Sequence, residues 1–255
     1  MGSTLSSTVE LISRVVQGRR IGPLMFLIFI NELAEILDRA GVKIKLFADD
    51  IKVYVQIVSC HDFDKLQYAL DLLTSWAQTW QLTVSVDKCC ILNIGRRKSP
   101  AMEFCINSKK LSTNMSCRDL GVVVLNDLKP AAHIGQMVAK GHQRADTILH
   151  SFVSRDVALL VRAFIVYVCP IVKYNSVIWS LQTVHDIEEI ERVQRRFTKR
   201  LPGLKMYSHT TRLNQLKLPS LEFRRLHIDL IMCYKRVFGL VDVNFDDFFF
   251  STALL

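Results

Sequence analysis

The chain is poor in proline and glycine, with six and ten of them in 255 residues. With half the residues apolar and 22% charged, this scarcity excludes a collagen-like fibre, a disordered tail and a low-complexity linker. Long apolar runs are missing too. The two most apolar stretches, Pro23 to Ile30 and Val157 to Val172, are too short to span a bilayer, and Arg162 interrupts the second. No basic-then-apolar signal peptide opens the chain. The seven cysteines are odd in number, and none pairs at the spacing of a zinc knuckle. A reduced compartment inside the cell follows as the expectation, nucleus or cytoplasm, not secreted and with no membrane partner.

Acidic residues are scarce in one place. Between Arg192 and Arg236 there are 12 lysines and arginines against two acids, Glu222 and Asp229, a local balance of +10. The other 210 residues hold 21 basic and 22 acidic groups, so this segment carries the whole excess of the +9 chain. Charge concentrated in this way points to a polyanionic partner.

Hydrophobic spacing sets the organisation. Residues 22–38 read as a helix with Pro23 in its first turn and a face of Leu24, Leu27, Ile28, Asn31, Ala34 and Leu37. From Val42 the period changes to two. Val42, Ile44, Leu46 and Ala48, then Ile51, Val53, Val55 and Ile57, alternate with mostly polar residues around Asp49-Asp50, which predicts a β-hairpin. A helix over 62–80 follows, then strands at 82–86, 90–94, 102–106 and 119–125. Beyond Pro130 the strand signals stop, and helices are expected at 130–152, 155–168, 170–179, 185–201 and 219–238. The helix at 185–201 has a stripe of Ile187, Ile190, Val193, Phe197 and Leu201, and Asp186 with Glu189 as its capping box. The histidines His133, His142 and His150 are placed on a helix surface, and Trp76, Trp80 and Trp179 in the core. The fold class is α+β, an antiparallel sheet with helices on one face over 1–129 and an all-helical part over 130–255.

Paired aspartates at a hairpin have an ordinary explanation, since Asp suits turns. They also suit Mg2+, which takes one or two carboxylates and completes its shell with water and phosphate oxygens. The run Lys45-Leu46-Phe47-Ala48-Asp49-Asp50-Ile51-Lys52-Val53-Tyr54 resembles the central catalytic hairpin of reverse transcriptases of the non-LTR (LINE-type) retrotransposons. Gln17-Gly18-Arg19-Arg20-Ile21-Gly22-Pro23-Leu24-Met25-Phe26 is similar to the family segment that positions template and incoming nucleotide. Asp87-Lys88-Cys89 resembles the motif whose lysine lies near the triphosphate, and Arg118-Asp119-Leu120-Gly121-Val122 the Leu-Gly primer-grip hairpin. The segments Ile190 to Lys199 and Leu218 to Leu226 resemble the thumb and post-thumb region.

The resemblance implies a partial polymerase palm over 1–129 and a helical thumb and tail over 130–255. It implies RNA-directed DNA polymerase chemistry with Asp49 and Asp50 as metal ligands for Mg2+ or Mn2+, and Lys88 as a third catalytic group. Gln17 and Gly18 would position template and nucleotide, and Leu120 and Gly121 would grip the primer. Arg192, Arg195, Arg196, Lys199, Arg200, Arg224 and Arg225 would track the backbone of an RNA template and DNA primer, with dNTP the one small molecule required. A solvated helix face is the plain alternative for these cations. Two departures bear on activity. The family's third aspartate lies upstream of the Gln-Gly motif, and the 16 residues before Gln17 hold only one acid, Glu10. The expectation is a chain truncated after that strand and inactive by itself. Arg19-Arg20 also stands where the family usually has Ser and a small or apolar residue. A non-catalytic nucleic-acid-binding remnant or domesticated module is the competing expectation.

Overall fold

The computed structural model describes residues 21–95, 103–179 and 183–243. Element order is α1 (Gly22–Arg39), β1 (Lys43–Phe47), β2 (Asp50–Tyr54), α2 (His61–Thr79), β3 (Cys90–Leu92), β4 (Cys105–Ile106), β5 (Lys109–Lys110), β6 (Ser112–Asn114), β7 (Ser116–Asp119) and β8 (Val122–Leu125). The helices α3 (Ala131–Ser151), α4 (Val157–Tyr167), α5 (Cys169–Lys173), α6 (Val184–Lys199), α7 (His209–Leu216) and α8 (Leu221–Val237) follow. No described helix is long and apolar enough to cross a membrane. The chain divides into two compact units. One runs to Ile91 and resumes up to Asn114; the other holds the short stretch from Leu92 and the chain from Met115 onward.

In the first unit, α1 packs on α2 through Ile30, Leu33 and Leu37 against Ala69, Leu73, Trp76 and Ala77. This corrects the expected face: Leu24, Leu27, Ile28 and Asn31 are exposed, and only Leu37 of the predicted stripe is fully buried. Apolar residues encircle the first turns of α1, so spacing alone admits more than one face. The rotation goes with Phe29, whose ring lies 5.3 Å from Trp76 and 4.7 Å from Trp80. Glu32 accepts from both indole N–H groups, at 3.0 Å from Trp76 and 2.9 Å from Trp80. Trp76 is buried as expected, whereas Trp80 is 45% exposed. Glu32→Ala leaves the buried Trp76 donor unpaired and is expected to destabilise this unit by about 1–3 kcal/mol, read by urea denaturation followed through tryptophan fluorescence.

The α+β composition stands, but the strands do not form one sheet. Among the described residues they make four two-stranded ribbons, β1–β2, β3–β6, β4–β5 and β7–β8. The strand expected at 82–86 is absent. Gln81 turns at φ +55°, Leu82 N–H bonds the Ala77 carbonyl at the end of α2, and Val86–Lys88 closes a 3-10 turn. The strand expected at 119–125 is instead a hairpin, because Leu120 and Gly121 both take positive φ, +43° and +87°.

In the second unit, α3, α4, α5 and α6 surround a core that includes Ile134, Met137, Leu160, Phe164, Val172, Ile190, Val193 and Phe197. Gly141 of α3 allows the close approach: a Cβ there would lie 3.0 Å from Val172 Cγ1 and 3.3 Å from Val193 Cγ1. The helix expected over 170–179 stops at Lys173, where Tyr174 leaves helical geometry and Asn175 turns at φ +51°. Trp179 is buried there, as expected. Helix α7, which no periodicity announced, is capped by Ser208 Oγ accepting from Thr211 N–H. The α6 cap also differs from expectation. Thr183 and Asp186 form it, with the Asp186 N–H donating to Thr183 Oγ1 and the Thr183 hydroxyl to Asp186 Oδ2.

Candidate functional site

Strands β1 and β2 pair antiparallel in the register Lys43↔Tyr54, Lys45↔Lys52, Leu46↔Ile51 and Phe47↔Asp50. Ala48 and Asp49 are therefore the two loop residues, and Ala48 takes φ +52°, the left-handed conformation that such tight connections use at their first position. The alternation predicted from sequence holds. Ile44, Leu46, Ile51 and Val53 turn to the core and are half-buried. The opposite face carries Lys43, Lys45, Phe47, Asp50, Lys52 and Tyr54, all exposed.

Asp49 and Asp50 are both exposed at the tip. Asp49 lies in the two-residue loop and Asp50 opens β2 opposite Phe47, both past the last core pair, Leu46 and Ile51. The donor chemistry fits a hard divalent ion, two adjacent carboxylates on a paired hairpin with room for water and phosphate oxygens. Among the described residues no cluster of three metal-ligating side chains occurs. Lys88 closes the 3-10 turn and is exposed. Gln17, Gly18, Arg19 and Arg20 lie outside the described residues.

In the other unit, Leu120 and Gly121 form the tip of β7–β8, between the paired residues Asp119 and Val122. The Tyr174 hydroxyl donates to the Leu120 carbonyl at 2.9 Å. His133 supports the same hairpin. It is buried rather than on a helix surface, it stands edge-on to Trp179 at 5.7 Å, and its Nδ1 accepts the Val123 N–H at 3.2 Å. Burial, then the charges of Lys140 and Arg118, hold this imidazole below its ordinary pKa. The fold favours neutral His133, so its contribution is complete above the unfolded value of about 6.5 and is lost as pH falls through the folded value. We expect the melting temperature to fall by a few degrees between pH 7.5 and 5.5, and less steeply in His133→Gln, whose amide oxygen still accepts from Val123.

The cations separate into two kinds. Arg192, Arg195, Arg196, Lys199 and Arg200 lie exposed along the outer side of α6. Arg192 pairs with Glu189 at 2.7 Å and Arg200 pairs with Asp146. Among the described residues Arg195, Arg196 and Lys199 have no carboxylate partner. Arg224 is half-buried, and Arg225 is buried with its guanidinium 5.8 Å from the Trp179 ring centroid. Arg225 therefore packs the interior instead of joining the exposed row.

The orientation of α6 is set by a buried polar seam that the sequence did not announce. Gln194 donates to the Pro219 carbonyl at 3.1 Å, and Glu191 accepts the Glu222 N–H at 2.7 Å, which satisfies the start of α8. Buried Arg212 donates to Thr198 Oγ1 at 3.2 Å and to the carbonyls of Tyr207 at 2.6 Å and Arg195 at 3.2 Å. Polar residues spaced 191, 194 and 198 were the available signal, since they fall beside the apolar stripe. Nothing local distinguishes Arg212 from a surface arginine.

Residues 3–133 match the reverse transcriptase (RNA-dependent DNA polymerase) family. The chain is similar to the RNA-directed DNA polymerase from mobile element jockey of Drosophila melanogaster, 21% identical over 226 residues that cover 85% of this chain and 25% of that protein. It is also similar to the protein of the same description from Drosophila funebris, 24% identical over 217 residues, covering 81% of this chain and 24% of that one. The chain thus spans about a quarter of the length of the curated relatives it matches. No solved structure matches.

Proposed function

The chain belongs to the reverse transcriptase (RNA-dependent DNA polymerase) family, and we propose that it is part of the polymerase of a non-LTR (LINE-type) retrotransposon. In this reading residues 1–129 are a partial palm and residues 130–255 a helical thumb with its tail. The observation that carries it is the Asp49-Asp50 pair at a two-residue hairpin tip, inside the stretch that matches the family.

The roles follow from the residues. Asp49 and Asp50 would hold Mg2+, or Mn2+, which when bound polarises phosphoryl oxygens and stabilises charge in an in-line displacement. The exposed face beside them sets Lys45 across from Lys52. Lys88 would neutralise charge on the triphosphate of a dNTP. Gln17 and Gly18 would position template and nucleotide, and Leu120 and Gly121 the primer end. The α6 cations would follow the phosphates of an RNA template and DNA primer.

The hairpin is tested by Mn2+ titration of the 255-residue chain, followed by paramagnetic broadening of amide signals. Broadening centred on residues 47–52 and lost in Asp49→Asn/Asp50→Asn is the expected result; equal broadening in that variant would overturn the metal assignment. A second reading is nucleic-acid binding without catalysis: among the described residues no third metal-ligating side chain joins Asp49 and Asp50, and two carboxylates leave the repulsion between two metal ions largely uncompensated. Template-dependent primer extension by these 255 residues, abolished by Asp49→Ala, would refute it.

A further inference from the structure

We infer that Tyr174 is a positioning residue for the β7–β8 tip, holding Leu120-Gly121 in the geometry that meets a primer end; this rests on the primer-grip reading above. The tip is a two-residue turn with φ positive at both positions, and one of them is a leucine, which tolerates that region poorly. Such a conformation persists only where its surroundings determine it. Tyr174 supplies that constraint twice. Its hydroxyl donates to the Leu120 carbonyl at 2.9 Å, and its ring covers Gly121 so closely that a Cβ there would lie 3.0 Å from Cε1.

Tyr174 is itself anchored. Trp179 is 3% exposed and donates its indole N–H to the Tyr174 carbonyl at 2.9 Å, while the Arg225 guanidinium lies 5.8 Å from the Trp179 ring centroid. His133 meets the same indole edge-on and takes the Val123 N–H one residue beyond the turn pair. The Tyr174 hydroxyl at Leu120 and the His133 ring at Val123 thus tie the turn and strand β8 to the helical core, and both residues meet Trp179. The premature end of α5 has a role here, because a helix continued through 174 would not set this side chain across the turn. Tyr174 is also 49% exposed, so the clamp stands at the surface beside the tip it fixes.

The test uses Tyr174→Phe, which keeps the ring and removes only the hydroxyl, in the 255-residue chain. Hydrogen exchange of the peptide covering 116–125 is expected to rise roughly threefold to tenfold, the size of one ordinary net hydrogen bond. Photocrosslinking from a 5-iodouracil at the primer 3′ end to that peptide is expected to fall by a similar factor. Overall affinity for the RNA–DNA duplex should be unchanged, a combination that general loosening of the fold would not give. Gly121→Ala, which pushes on the same ring, should reproduce both changes. Unchanged exchange in Tyr174→Phe overturns the clamp. Faster exchange with no primer crosslink in the parent chain overturns the primer-grip reading and the positioning role with it.

Discussion

Raising salt from about 50 to about 200 mM is expected to weaken binding of an RNA–DNA duplex by about a hundredfold, the loss for roughly four released counterions at a slope of −0.9 each. The count comes from the exposed row on α6. Arg195, Arg196 and Lys199 have no carboxylate partner among the described residues, and Arg192 is shared with Glu189. Exposed ion pairs are weak, so a phosphate competes readily for Arg192. Reversing Arg195, Arg196 and Lys199 to glutamate should lower affinity about a hundredfold at low salt and reduce the slope by about three, with little dependence on base sequence. Filter binding or fluorescence anisotropy across a salt series checks both figures. A flat salt profile, or affinity that survives the triple reversal, would remove α6 from the interface. The backbone carbonyl of Arg195 that holds Arg212 is untouched by these changes, so the seam beneath should stay intact.

Phe197→Ala should have the largest effect on stability, about 3–5 kcal/mol. The side chain is 1% exposed and stacks on Phe164 with ring centroids 4.6 Å apart, in the middle of the helical core. Truncation removes buried apolar surface and leaves a cavity between α4 and α6, which the helices can close only by shifting. Because α6 carries the cations on its outer side, such a shift would also disturb their spacing. Chemical denaturation followed by circular dichroism gives the stability loss. A loss below about 1 kcal/mol would mean that this core is looser than its burial indicates.

Much of the local structure was legible. The change of period at Val42 located the β1–β2 hairpin, because alternating side chains must face opposite sides of a strand. Four members of the predicted α6 stripe, Ile190, Val193, Phe197 and Leu201, are buried. The order of motifs carried the family assignment. Other features depended on partners distant in sequence. Glu32 meets Trp76 and Trp80, more than 40 residues on, and with Phe29 selects the face of α1. Periodicity alone reads Leu120-Gly121 as the start of a strand over 119–125; only the family resemblance placed a hairpin there, and both residues stand at positive φ under Tyr174.

The seven backbone-binding candidates show the division most clearly. Chain composition placed a dense positive charge between Arg192 and Arg236, and helical spacing put five of those groups along one side of α6. Composition could not tell Arg196, which reaches solvent, from Arg225, which lies against Trp179. What sequence alone determined here is the kind of the longer elements, the place of the aspartate pair and the segment bearing the charge, because these follow from periodicity and count. Tertiary structure decided which cations face water, how far the aspartates project and what holds the β7–β8 turn. Burial and hydrogen bonding are set by neighbours brought together in folding, and no local pattern records them.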